Sequence, residues 1–112
     1  MTETLRMDVL QETRLLGRRV FDLADRAGGG WQAARLCALV RAMLRRVPAG
    51  GSPQQERSQL AAAFRFVADA VGGLDALARQ WPALAVEASA LAAEATELAE
   101  RLFELLEAPV AI

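Results

Sequence analysis

The chain contains no histidine, lysine, asparagine or tyrosine, and it has only one cysteine and one isoleucine. Histidine is the side chain most often used as a general base and metal ligand near neutral pH. Its absence also excludes the di-metal carboxylate sites of helical bundles, because those sites need Glu-x-x-His pairs. We therefore predict that the protein is not an enzyme and that it has no catalytic, metal or cofactor site.

The single cysteine, Cys37, excludes an intramolecular disulfide and any Cys-x-x-Cys pair. A lone thiol with no histidine to activate it is typical of a structural side chain in a reducing compartment. Residues 1–6 lack the apolar core of a signal peptide, and no uncharged apolar run is long enough to span a bilayer. The sequence therefore predicts a cytoplasmic protein without membrane association.

Alanine and leucine dominate what is present, with 24 and 17 copies among 112 residues. Both are strong helix formers, whereas the β-branched and aromatic residues that favour strands are scarce. A chain of this length makes one domain that can fold without disulfides. We therefore predict a single all-α domain over residues 1–112, with a frayed tail at about 108–112 after Pro109.

Four segments carry apolar residues at helical spacing, and short stretches rich in glycine or proline separate them. Short connections make consecutive helices antiparallel neighbours, so the pattern predicts an antiparallel four-helix bundle. The third segment begins with Ser52 as a helix cap and Pro53 in the first turn. The predicted helices span about Thr4–Ala27, Trp31–Val47, Ser52–Trp81 and Pro82–Glu107.

Gly72-Gly73 lies inside the third segment, where glycine weakens a helix. We predict an interruption there, which either bends the third helix or splits it and gives a bundle of five helices. Trp31 and Trp81 are predicted to pack as caps at the ends of helices. Of Phe66 and Phe103, one is expected to stay partly exposed, as aromatic side chains at interfaces often are.

Leucines recur every seven residues along the fourth helix, and alanines fill most of the alternate positions. The repeat fits either the bundle's own core or a coiled-coil-like seam for self-association. Alanine in place of valine or isoleucine favours broad bundle packing over a two-stranded zipper. The predicted protein interface consists of Leu84, Leu91, Leu98, Leu102, Leu105 and Phe103.

Charge is divided unevenly along the chain. Residues 1–50 hold nine arginines and five acids, a net charge of +4, whereas residues 51–112 hold four arginines and nine acids, a net charge of −5. Arginines cluster on one face of the second helix, at Arg35, Arg41, Arg45 and Arg46. This face is solvated, paired with the acidic fourth helix within the bundle or across a dimer, or a binding surface for nucleic-acid phosphates.

These patterns predict a protein-interaction module. It either forms a homo-oligomer through its first and fourth helices or acts as a small helical subunit of a larger assembly. Nucleic-acid binding by the arginine face is the alternative, although the chain has no basic tail and no recognisable helix-turn-helix. A third hypothesis is a hydrophobic small molecule held in a gap of the alanine-rich core, beside Met43.

Overall fold

The computed structural model describes residues 2–47 and 55–107, and the side chains of this part from residue 8 onward. Within these ranges the chain forms four α-helices and no strand, which confirms the predicted all-α four-helix bundle. A short 3-10 helix over Pro82–Leu84 precedes the last helix. The α-helices are α1 (Thr2–Arg26), α2 (Trp31–Arg46), α3 (Glu56–Gln80) and α4 (Ala85–Glu107).

The helices pack in a ring, each against its neighbours in sequence, and α4 closes the ring on α1. The most extensive packing is between α3 and α4, and both helices bury alanines without exposed surface, at Ala63, Ala70, Ala88 and Ala95. Small side chains let two helix backbones approach each other. In this ring α2 and α4 are diagonal, so their outer faces point to opposite sides of the bundle.

The loop between α1 and α2 is made of three glycines with positive φ, at +74°, +146° and +94° for Gly28, Gly29 and Gly30. Residues other than glycine are strained at positive φ, because their Cβ atom clashes with the backbone. The amide of Gly28 donates to the carbonyl of Asp25 and closes α1. The predicted end of the first helix is therefore confirmed.

The predicted split of the third helix at Gly72-Gly73 is wrong, because α3 runs without a break from Glu56 to Gln80. A Cβ atom at Gly73 would lie 2.6 Å from Cδ2 of Leu36, a fully buried side chain of α2. Glycine lets this leucine pack directly on the backbone of α3. That contact offsets the cost of glycine in a helix, which is about 1 kcal/mol per residue.

The tryptophans do not form packed caps. Trp31 is 66% exposed and Trp81 is 38% exposed, so that prediction is wrong. Trp31 begins α2 on the side away from the buried stripe that contains Leu36 and Val40. Two other predictions, the start of the third helix at Ser52-Pro53 and the frayed tail at 108–112, lie outside the described residues.

Candidate functional site

The leucine repeat of α4 points into the bundle. Leu91, Leu98, Leu102 and Leu105 are buried among the other core side chains, and Leu84 is half-buried against the same core. The four buried leucines therefore form the core of the single chain and offer no surface to a partner in this structure. Any contact surface has to be found on the outside of the helices.

Phe103 is the one member of the predicted interface that is well exposed, with 52% of its surface accessible. Its ring centroid lies 6.1 Å from that of Phe64 on α3, and the two ring planes are tilted by 44°. Phe64 is half-buried against the core, whereas Phe66 is buried. The expectation that Phe66 or Phe103 stays exposed is confirmed, and Phe103 is the exposed residue.

The arginine face of α2 is exposed along its whole length, at Arg35, Arg41, Arg45 and Arg46. Among the described residues, no salt bridge joins any of these four guanidinium groups to a carboxylate. Arg41 instead lies over the ring of Phe21 on α1, with Cζ 5.5 Å from the centroid. The arginine face is therefore not paired with α4 inside the bundle.

The acids of α4 that do form ion pairs are bound to α1. Three salt bridges, Glu12–Arg101, Arg19–Glu94 and Arg26–Glu87, are spaced seven residues apart and run in opposite directions on the two helices. The hydrogen bond from Arg26 holds the pKa of Glu87 below its ordinary value. All six side chains are about half exposed, and exposed ion pairs contribute little to stability. The main effect of the three pairs is therefore to fix the register of α1 against α4.

Sequence reasoning missed this ladder, although its signal was present. Charges spaced by seven residues on the first and fourth segments are opposite in sign at every pair only when the two helices are read in opposite directions. Along α4, the ladder uses Glu87 and Glu94. The remaining acids form no salt bridge with the described residues and are all exposed, at Glu97, Glu100, Glu104 and Glu107.

Cys37 is half-buried on α2, between the core and the surface. Burial raises the pKa of its thiol, nearby Arg41 lowers that pKa, and Asp25 raises it; the net direction is upward. The thiol is therefore protonated at neutral pH and a poor nucleophile, since the thiolate is the reactive form. Its surroundings are those of a structural side chain.

The groove beside Met43 is small and partly charged. Met43 lines a groove of about 200 Å³ between α2 and α3, together with Leu39, Phe66 and the charged side chains of Arg46 and Asp69. Ligand pockets for drug-sized molecules are mostly about 300–1,000 Å³ and predominantly apolar. This groove therefore gives little support to the hypothesis of a hydrophobic ligand beside Met43.

In the part of the chain that the structure describes, no three Cys, Asp or Glu side chains are grouped so that they could hold a metal ion. No helix in that part is both long and apolar enough to cross a membrane. Comparison with known proteins finds no family model, no curated protein and no solved structure that matches the chain. The outer surface of the bundle is therefore the feature of the molecule that bears on function.

Proposed function

We propose that the protein is a non-enzymatic, self-associating interaction module of the cytoplasm, and that Phe103 lies within its contact surface. The observation that carries the proposal is the exposure of Phe103, an aromatic side chain on α4 with 52% of its surface accessible. Removing apolar surface from water contributes roughly 25 cal/mol per Å². Covering this ring therefore contributes more binding free energy than covering an equal area of the charged surface around it.

The surroundings of Phe103 have the composition of a protein interface. Residues three and four positions away share its face of α4. Of these, Ala99 and Leu106 are half-buried and apolar, whereas Glu100 and Glu107 are exposed and charged. An aromatic centre with a polar rim is the usual arrangement at protein contacts, where aromatic residues are enriched.

The location in the cytoplasm rests on Cys37. A half-buried thiol with a raised pKa and no second cysteine suits a reducing compartment, where thiols persist unpaired. The absence of histidine supports a role without catalysis. The same outer surface also suits a role as a small helical subunit, with the partner chain in place of the second copy.

Replacing Phe103 by serine is expected to weaken self-association at least tenfold while leaving the helical content unchanged. The ring is exposed, so its loss removes contact area from the partner more than from the core. Light scattering coupled to size-exclusion chromatography measures the change as a fall in mean mass towards the 12.1 kDa of one chain. Circular dichroism verifies the fold.

Leu15→Ser is the matched control, because Leu15 is 47% exposed on α1, in the groove between α1 and α4, whereas Phe103 contacts Phe64 on the α3 side of α4. It is expected to retain the mass of the wild-type protein. Equal masses for Phe103→Ser and the wild-type oligomer would show that the contact surface lies elsewhere. A wild-type protein that is monomeric throughout would contradict self-association itself.

Nucleic-acid binding is the second candidate, and the observation that favours it is the set of four exposed arginines without carboxylate partners on α2. Clustered cations bind phosphates by releasing counterions, so this binding weakens as salt rises. Retention on immobilised nucleic acid at low salt, lost in Arg45→Ala/Arg46→Ala, would establish it. No retention of the wild-type protein would end it.

A further inference from the structure

We infer that the copies associate head to tail, with the basic outer face of α2 on one copy against the acidic outer face of α4 on the next. The inference rests on the proposed self-association and names its two contacting surfaces. The two faces carry charges of opposite sign, lie on opposite sides of the bundle and have similar lengths.

The basic face lies opposite the buried stripe of α2. Its arginines alternate with exposed alanines, which leave room for another helix to approach. The face carries no acid between Trp31 and Arg46. It consists of Trp31, Ala34, Arg35, Ala38, Arg41, Ala42, Arg45 and Arg46, with the exposed Trp31 in its first turn.

The acidic face lies opposite the buried stripe of α4, and Phe103 is at its edge. Its four carboxylates are exposed, and none is joined by a salt bridge to a described residue. Ala93 is exposed on the same side of the helix. The face consists of Ala93, Glu97, Glu100, Glu104 and Glu107.

The two charged stretches match in length. At 1.5 Å per residue, Arg35 to Arg46 spans about 16 Å, and Glu97 to Glu107 spans about 15 Å. One α2 laid along one α4 therefore brings all four arginines near all four glutamates. The same contact covers the edge of α4 that holds Phe103.

Because α2 and α4 are diagonal in the ring, one molecule cannot bring its own two faces together. A two-fold dimer through either face would place like charges opposite each other, which is unfavourable. Contact between unlike faces is heterologous, and it leaves one free face of each sign at the ends of every pair. Growth therefore continues beyond the dimer until a ring closes or a filament forms.

Two charge-reversal variants test the arrangement. Arg45→Glu/Arg46→Glu disables the basic face and leaves the acidic face intact, whereas Glu100→Arg/Glu104→Arg does the reverse. Each variant alone is expected to self-associate at least tenfold more weakly than the wild-type protein in low salt. Mixed in equal amounts, they are expected to regain association, because the intact acidic face of one variant meets the intact basic face of the other and the two reversed faces also carry opposite charges.

Charge-matched controls lie on the exposed sides of α1 and α3 and outside the grooves that flank the basic face, at Arg18→Glu/Arg79→Glu and Asp22→Arg/Asp75→Arg. They change the net charge equally and are expected to keep the wild-type mass in light scattering. Circular dichroism confirms that every variant is folded. A drop in mass for the controls as large as for the face variants would overturn the assignment of the two faces.

The remaining outcomes separate this inference from the proposed function. If the wild-type protein associates and the face variants keep its mass, self-association stands and the head-to-tail contact is overturned. If the wild-type protein is monomeric in the same runs, self-association fails and the inference fails with it. If Arg45→Glu/Arg46→Glu removes co-eluting nucleic acid without changing the protein mass, the basic face binds phosphates and the inference is overturned.

Discussion

Replacing Leu102 by alanine is expected to lower the free energy of unfolding by about 2–5 kcal/mol. Leu102 has no exposed surface, so truncation removes its contacts in the core and leaves a cavity. Small domains have a total stability of about 5–15 kcal/mol, so the loss is a large part of it. Urea denaturation followed by circular dichroism measures the change.

The neighbouring residue supplies the control. Phe103→Ala is expected to cost only about 0.5–1.5 kcal/mol, mainly through the ring contact with Phe64. The contrast between adjacent positions tests which side of α4 faces the core. Similar losses at the two positions would mean that α4 is rotated about its axis from the orientation described here.

Replacing Gly73 by leucine is expected to lower the free energy of unfolding by about 1–3 kcal/mol, the usual range for overpacking a filled core. The new side chain would occupy the space taken by Leu36, whose Cδ2 atom lies 2.6 Å from an ideal Cβ at this position. The loss is expected although leucine is the better helix former. The midpoint and slope of urea unfolding give its size.

Gly72→Ala is the matched control, because a Cβ there meets no atom within 4 Å. This substitution is expected to raise stability by about 0.5–1 kcal/mol through helix propensity alone. The double variant Leu36→Ala/Gly73→Leu is expected to recover part of the loss of Gly73→Leu, since the two sites are in contact. Destabilisation by Gly72→Ala as large as by Gly73→Leu would show that α3 is broken at this point.

The helix boundaries that the sequence predicts correctly depend on local chemistry. Gly28-Gly29-Gly30 ends α1 because its backbone adopts positive φ, and Trp81-Pro82 separates α3 from α4 because proline constrains the residue before it. The glycine pair inside α3 has the same local signal and the opposite outcome. There Gly73 accommodates Leu36, a contact with another helix that spacing along the chain does not reveal.

In the candidate site, too, the sequence predicts the local pattern but not the contacts between helices. A seven-residue leucine repeat identifies a buried side of α4, but it does not say whether that side packs in the same chain or on another. The ring order of the helices places Leu98 and Leu102 in the core of one chain. Leu44 on α2 is 36% exposed, because it lies at the margin of the buried stripe that contains Leu36 and Val40.

The charge asymmetry between the two halves of the chain is visible in the sequence, but the sequence does not show where the charged side chains lie in the folded bundle. Pairing of α1 with α4 takes up Glu87 and Glu94, and the diagonal position of α2 leaves its arginines without those acids. A chain divided into basic and acidic halves thus becomes a bundle with oppositely charged sides. That separation follows from topology.

Association of copies through their charged outer faces, as proposed above, makes the mass of the wild-type protein depend on salt, and sedimentation velocity measures that dependence. The screening length falls from about 10 Å at 0.1 M salt to about 3 Å at 1 M. We expect the weight-average mass to rise with protein concentration beyond that of a dimer and to fall towards one chain at high salt. A constant mass of 12.1 kDa at every concentration and salt would contradict the claim.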